Sequence, residues 1–341
     1  MGASAGVREA TFEAPPNIAL VKYWGVRDEE RALPYNSSLS VTLATFRSRT
    51  TVRLRAVGPR DRLTLNGTPA AGRQRASVER FLDRVRTMAD ATWRADVRST
   101  NNFPTASGLA SSASGFAALA GAASAAAGLE LTPRALSSLA RFGSGSAARS
   151  VFGGFVEWRR GERRDGRDCY ARPLFGPTHW PELVDLVCLV RRAPVKTIRS
   201  ATAMQQSVRT SPEFRRRQEE VPRRLSAMVR AIAARDPETL FPLVMEECDS
   251  FRRVCETTRP SLDYLTGTSR MLLETVRAEN DRHSAAIAGY THDAGAHVHV
   301  FTTTAHAGPL RRRLSAVRGV EEVLTLRPGP GARRLPSRLA V

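Results

Sequence analysis

The stretch Gly115 to Leu131 is dominated by Ala, Gly and Ser and is entered through a loop of equally small residues, Pro104-Thr-Ala-Ser-Gly-Leu-Ala-Ser-Ser-Ala-Ser114. A helix with so little side-chain bulk can be stable only if its neighbours approach its backbone closely, because packing rather than propensity supplies most of a helix's stability. It reads as a close-packed helix. Its hydrophobicity is too weak for insertion into lipid, so no membrane partner is expected. The remainder of the chain agrees: 42% of the 341 residues are apolar and 25% charged, as in a globular protein able to bury a substantial core. Met1 to Ala10 has no apolar core region of the kind a secretory signal needs, and Cys169, Cys188, Cys248 and Cys255 show no C-x-x-C pairing. A cytosolic location with all four thiols reduced is therefore expected.

The order of patterns is mixed. Arg49 to Val57 alternates as a strand, Asn66-Gly67 signals a tight hairpin, and Val78, Phe81, Leu82 and Val85 set a helical period within Arg73 to Ala89. A helix follows Pro104, another spans Pro133 to Phe142, and strands are expected at Gly154 to Trp158 and Asp185 to Val190. After Lys196 the pattern is mostly helical to about Ala278. Strands at His297 to Thr303 and Val320 to Leu326, with a helix between them, close the ordered chain. Residues 327 to 341 lack periodicity and read as a mobile tail.

The net charge of +19 comes from 52 cationic side chains, of which only Lys22 and Lys196 are lysines. Such a bias fits arginine spread over solvated faces. The runs Arg215-Arg216-Arg217 and Arg311-Arg312-Arg313 carry no interleaved aromatic residues, so a solvated helix face is favoured over a nucleic-acid footprint. The two lysines stand out, because an ammonium is a compact point charge that a guanidinium fork cannot imitate in a tight site.

Three segments carry candidate chemistry. In the Pro104 loop, Gly108 permits close backbone approach, and the unpaired N–H groups of the following helix favour a phosphate, although G-x-x-x-x-G-K-[ST] is absent. A tight helix start packed on a strand is an equal alternative for this loop. In Gly143-Ser-Gly-Ser-Ala-Ala-Arg-Ser150, the Ser144 and Ser146 hydroxyls and the Arg149 guanidinium can together hold an anion; the plainer reading is a capped helix with a solvent-facing arginine. In Tyr290-Thr-His-Asp-Ala-Gly295, Asp293 is placed as a general base on a turn, or is an ordinary turn former. His297 and His299 share a strand face, but no further ligands stand at zinc-like spacing.

Four strings, Asn17-Ile-Ala-Leu-Val-Lys-Tyr-Trp-Gly25, Asn36-Ser-Ser-Leu-Ser-Val-Thr-Leu43, Asn101-Asn-Phe-Pro-Thr-Ala-Ser-Gly-Leu-Ala-Ser-Ser112 and Gly143-Ser-Gly-Ser-Ala-Ala-Arg149, together resemble diphosphomevalonate decarboxylase of the GHMP kinase superfamily; Asp293-Ala-Gly295 fits in order. The resemblance implies a two-lobed α+β GHMP fold: a ribosomal S5 domain 2-like ATP-binding lobe over residues 1 to 182, a ferredoxin-like lobe over 183 to 326, then the tail. It implies an ATP-dependent reaction on a 5-phosphorylated mevalonate, in which the 3-hydroxyl is phosphorylated and phosphate and CO2 are then lost. By resemblance, Asp293, Lys22 and Arg149 are catalytic, with Arg149 also holding the substrate carboxylate. Tyr23, Ser144, Gly145, Ser146 and Ser200 then surround the substrate. Pro104, Ser107, Gly108, Leu109, Ala110, Ser111 and Ser112 form the ATP phosphate loop, with Mg2+ bridging the phosphates near Ser112. An ammonium beside Asp293 would keep it ionised. A homodimer is implied as well.

The chain departs from the family pattern at three places. Val26 stands where most members have a lysine of the diphosphate pocket, Ala201 where some have arginine, and Ala296-His297 replaces Pro-Asn. Each lost charge-assisted contact forfeits roughly 1.5–3 kcal/mol of binding, which makes mevalonate 5-phosphate, the substrate of a phosphomevalonate decarboxylase, an expected substrate on at least equal terms with the diphosphate. Arg27 or Arg199 is positioned in sequence to restore the charge. A GHMP kinase that stops at phosphoryl transfer and a nucleic-acid-binding module are the remaining alternatives; the latter predicts a steep salt dependence.

Overall fold

The computed structural model describes residues 8–103, 111–191, 198 and 200–336. Strands come first: β1 (Glu9–Ala14), β2 (Asn17–Val21), β3 (Val26–Asp28), β4 (Leu33–Pro34), β5 (Ser38–Thr42), β6 (Ser48–Arg55), β7 (Arg62–Leu65) and β8 (Thr68–Pro69). Then come α1 (Gly72–Ala89), β9 (Arg94–Asn101), α2 (Ser111–Ala126), α3 (Pro133–Ala140), α4 (Ala147–Ser150), β10 (Phe155–Trp158) and β11 (Ala171–Phe175). The second lobe runs β12 (Leu183–Val190), α5 (Ser200–Thr210), α6 (Pro212–Ala234), α7 (Pro237–Thr257), α8 (Gly267–His283), β13 (Ala288–Thr291), β14 (Val298–Thr303), α9 (Thr304–Ser315) and β15 (Val320–Leu326), after which the chain returns to the first lobe as β16 (Arg333–Leu335).

The first lobe holds a six-stranded sheet, β16-β1-β6-β9-β7-β8, and a four-stranded sheet, β11-β10-β5-β2; the second lobe is built on β13-β14-β12-β15. This is the two-lobed α+β architecture expected. Asn66 and Gly67 take φ values of 47° and 82°, closing the β7–β8 hairpin at the dipeptide that signalled it.

Helix α2 lies against β1 and β6, and its small residues are the reason it can. Ala117, Ala118, Ala120, Ala122 and Ala123 are buried in the core beneath the six-stranded sheet. A Cβ on Gly121 would stand 2.3 Å from the Phe12 ring of β1, so the ring occupies the space a side chain would need. Gly121→Val is expected to destabilise by about 1–3 kcal/mol, the usual cost of overpacking, read as a lower Tm in thermal unfolding. An unchanged Tm would show that β1 and α2 are not in close contact.

Residues 327–336 do not form the mobile tail expected of them. Pro328 bridges Leu43, the Gly329 carbonyl accepts from the Gly154 N–H at 2.9 Å, and β16 pairs antiparallel with β1 as the outer strand of the six-stranded sheet. Arg333 Nε reaches Glu13 Oε1 at 2.7 Å. Three residues with no alternation carry no strand signal of their own; the partner strand supplies the ladder. Residues 337–341 lie outside the described residues.

Candidate active site

Lys22 follows the end of β2 in the first lobe, and Asp293 sits in the turn between β13 and β14 of the second. Their side chains meet: Lys22 Nζ lies 2.8 Å from Asp293 Oδ1, with the lysine 4% and the aspartate 27% exposed. Burial pushes the Asp293 carboxyl up. The Lys22 charge and hydrogen bond, with smaller help from His299 and Arg149, outweigh it and leave the group below its ordinary value, hence ionised at neutral pH. The turn is tight, with the Gly295 N–H donating to the Asp293 carbonyl at 2.7 Å. His292 Nδ1 contacts the same carbonyl at 2.7 Å; burial, then the Lys22 charge, lower this ring to about 4, so it is neutral and donates there.

Arg149 projects from the short helix α4 into the interior. Its Nε donates to Asn17 Oδ1 at 3.1 Å and its Nη1 to Ser38 Oγ at 2.6 Å. Asn17 is itself held, donating from Nδ2 to Ser150 Oγ at 2.7 Å and to the Ser146 carbonyl at 3.1 Å. Burial brings Arg149 down to about 10, opposed by Asp293 and Tyr23, and the group stays cationic at neutral pH. Ser144 Oγ lies 3.2 Å from Ser146 Oγ and 3.4 Å from Ser112 Oγ, so hydroxyls from the loop before α4 and from the first turn of α2 converge. Gly145 is required between them, since a Cβ there would lie 2.6 Å from the Tyr23 ring and 2.9 Å from Trp158.

A cavity of about 540 Å3 joins these groups, a size typical of small-molecule sites. Of the residues predicted from sequence, Lys22, Tyr23, Ser111, Ser112, Ser144, Gly145, Ser146, Arg149, Ser200 and Asp293 all line it. Pro104, Ser107, Gly108, Leu109 and Ala110 lie outside the described residues, as do Lys196 and Arg199. Ser111 and Ser112 open α2, so the first turn of a 16-residue helix borders the cavity, an arrangement whose N–H groups and dipole suit phosphate oxygens. A larger cleft of about 840 Å3, bordered by Arg84, Arg134, Phe142 and Arg167, contains none of the predicted residues; Arg141 borders both.

Other expectations resolve differently. Arg27 does not turn into the cavity: its Nε donates to the Pro34 carbonyl at 3.1 Å and its Nη2 to the Gly161 carbonyl at 2.9 Å. Val26 is partly buried against the apolar cluster that contains Trp24, Met204 and Phe214. His299 Nδ1 pairs with Asp185 Oδ2 at 2.7 Å, and His297 Nδ1 accepts from the Val190 N–H at 3.0 Å, so neither ring presents that nitrogen to a metal. The run Arg215-Arg216-Arg217 is not one solvated face. Arg215 and Arg216 are exposed, but Arg217 is 1% exposed and paired with Glu247. Its position was legible: on α6 the buried stripe runs Phe214, Arg217, Val221, Arg224, Met228, so two arginines fall on the apolar period. Glu247, Asn36 and Ser38 were given no role from sequence; each is buried and hydrogen-bonded to Lys22 or Arg149.

The family model described as "Diphosphomevalonate decarboxylase-like N-terminal domain" matches residues 14–171, and "Mevalonate 5-diphosphate decarboxylase C-terminal domain" matches residues 186–325. Human diphosphomevalonate decarboxylase is 40% identical over 320 residues, covering 89% of this chain and 78% of its own length. The structure described as "MDDEF in complex with MVAPP, AMPPCP and Magnesium" superposes with a TM-score of 0.90 at 36% identity, covering 97% of this chain and 100% of that one. A structure of the mevalonate diphosphate decarboxylase from Enterococcus faecalis, described by a "mevalonate diphosphate mediated ATP binding mechanism", gives 0.88 at 36% identity with the same coverage. With both lobes matched and the human relative aligned over more than two thirds of each chain, this chain belongs to the diphosphomevalonate decarboxylase family of the GHMP kinase superfamily.

Proposed function

We propose that this protein catalyses the ATP-dependent decarboxylation of mevalonate 5-diphosphate to isopentenyl diphosphate, the isoprenoid-forming reaction of its family. The observation that carries the reading is the Lys22–Asp293 pair at 2.8 Å, opening on one cavity with Arg149 on one side and the start of α2 on another. Arg149 is anchored through two of its nitrogens and holds the substrate carboxylate, while Ser144 and Ser146 donate to substrate oxygens. Ser111, Ser112 and the first turn of α2 receive the nucleotide's phosphates, and Mg2+ bound among those phosphates would neutralise their charge.

Asp293 orients the 3-hydroxyl and takes its proton. A carboxylate held below its ordinary value is a weak base, but phosphoryl transfer through a loose transition state leaves the proton on oxygen until late, so positioning matters more than basicity. When the phosphate departs, positive charge grows at C3. The carboxylate of Asp293 then faces it as a fixed anion, and the electron pair of the breaking carbon–carboxylate bond forms the product's double bond as CO2 leaves.

The phosphate count of the substrate rests on the family for the diphosphate, and on Val26 and Ala201 for a monophosphate: the first packs into an apolar cluster and the second lines the cavity without charge. The decisive experiment follows CO2 and ADP with ATP and each substrate. We expect one CO2 per ADP and a kcat/KM preference for the diphosphate above about tenfold, some 1.4 kcal/mol. A preference for the monophosphate would reassign the substrate, and ADP without CO2 would make the chain a kinase. Light scattering on the same sample reads the homodimer and salt titration against DNA the nucleic-acid alternative; a homodimer indifferent to DNA is the expected result.

A further inference from the structure

Lys22 is held at more than its ammonium. Its backbone N–H donates to Glu247 Oε1 at 2.9 Å, and its carbonyl accepts from Arg217 Nη2 at 2.9 Å and Asn36 Nδ2 at 3.0 Å. Glu247 on α7 and Arg217 on α6 belong to the second lobe, whereas Lys22 and Asn36 belong to the first, so the Lys22 backbone is gripped across the boundary between the lobes. Glu247 is fully buried, and its charge is met by Arg217 on one oxygen and by Arg224 Nη1 at 2.6 Å on the other. Arg224 turns away from Lys22, to Glu246 at 2.7 Å and Glu220 at 3.1 Å.

Burying a carboxylate between two guanidiniums gains little stability over an apolar cluster of the same volume. What the ionic arrangement adds is direction. One acceptor and two donors fix the backbone N–H and carbonyl of a single residue, and so the two peptides that flank it, and that residue carries the ammonium facing Asp293. We infer that Glu247 and Arg217 are positioning residues for the reaction: they clamp the Lys22 backbone from α7 and α6, setting the reach of its side chain to Asp293 across the lobes. This rests on the proposed decarboxylation only for the step it serves; the clamp itself is a matter of geometry.

The test uses the full-length protein with Glu247→Gln, Arg217→Met, Arg217→Lys and Arg224→Met, and reads kcat, KM and Tm for each. Glu247→Gln and Arg217→Met should lower kcat by about 10- to 100-fold, the cost of an ångström-scale misplacement, with KM for phosphorylated mevalonate within about threefold because Arg149, Ser144 and Ser146 are untouched. Arg217→Lys, which can still donate to the Lys22 carbonyl, should recover part of the lost kcat. Arg224→Met, which breaks the same network away from Lys22, should lower Tm while keeping kcat within about threefold of the parent. A kcat that falls in step with Tm across all four variants, Arg224→Met included, would overturn the clamp and leave a merely structural ion cluster.

Crystal structures of Arg217→Met and Arg217→Lys read the clamp without turnover. Opening of the 2.8 Å Lys22–Asp293 contact in the first and its retention in the second are expected, and an unchanged contact in both would overturn the inference. Parent protein that releases no CO2 would instead count against the proposed decarboxylation, with the clamp still judged by these structures.

Discussion

Asp293→Asn should lower kcat by about 10²–10⁴-fold, the range lost with a positioned acid–base group. Asparagine keeps the shape of the side chain, so the turn held by Gly295 and His292 remains intact and the cavity keeps its form. It removes the acceptor for the 3-hydroxyl proton and the fixed negative charge that faces C3 as phosphate leaves. In the proposed reaction, binding of ATP and phosphorylated mevalonate through the first turn of α2, Arg149 and the serines should change by no more than a few-fold. Steady-state assays of ADP and CO2, paired with calorimetric titration of each ligand, separate the two effects. Retention of more than about a tenth of kcat would remove Asp293 from the chemistry.

Lys22→Met should cost about 10²–10³-fold in kcat, comparable to deleting a donor aimed at developing charge. Methionine matches the stem in length and apolar character but brings no ammonium to Asp293. Burial, the largest influence on that carboxyl, then meets only the weaker opposition of His299 and Arg149, and the aspartate spends more of its time protonated. Lys22→Arg is a sharper control. The charge is preserved, yet a planar fork cannot occupy the place of a compact ammonium, so it should recover little of the lost kcat. Equal activity in Lys22→Arg and the parent would mean that charge alone, and not the geometry of the pair, is what the site requires.

Much of this was legible before any coordinates. Alternation marked β6, the Asn66-Gly67 turn marked the hairpin, and the shortage of bulk between Gly115 and Leu131 marked a helix that Phe12 now presses against at Gly121. Local patterns fail where the information lies in a partner. β16 is three residues long and exists because β1 offers a free edge, and β2 and β5 are fully buried, which removes the alternation that would reveal them. At the site, short strings marked the loops, but which polar side chains turn inward is settled by packing. Arg217 reads as one of three consecutive arginines until α6 places it on the same face as Phe214 and Val221. Asn17 and Ser38 stood within recognised strings, yet only the fold brings both to the Arg149 guanidinium.

The central claim is that Lys22 and Asp293 act as one ionised pair, and the acid side of the pH profile tests it most directly. Because the folded Asp293 carboxyl is held below its ordinary value, activity that needs it ionised should persist down to that range and fall only as pH drops through the lowered value. Measured as kcat/KM over the acid range in which the protein stays folded, the acid limb of Lys22→Met should lie at higher pH than that of the parent. Superimposable acid limbs in the two proteins would contradict the account, since the ammonium would then have no influence on the group that reacts.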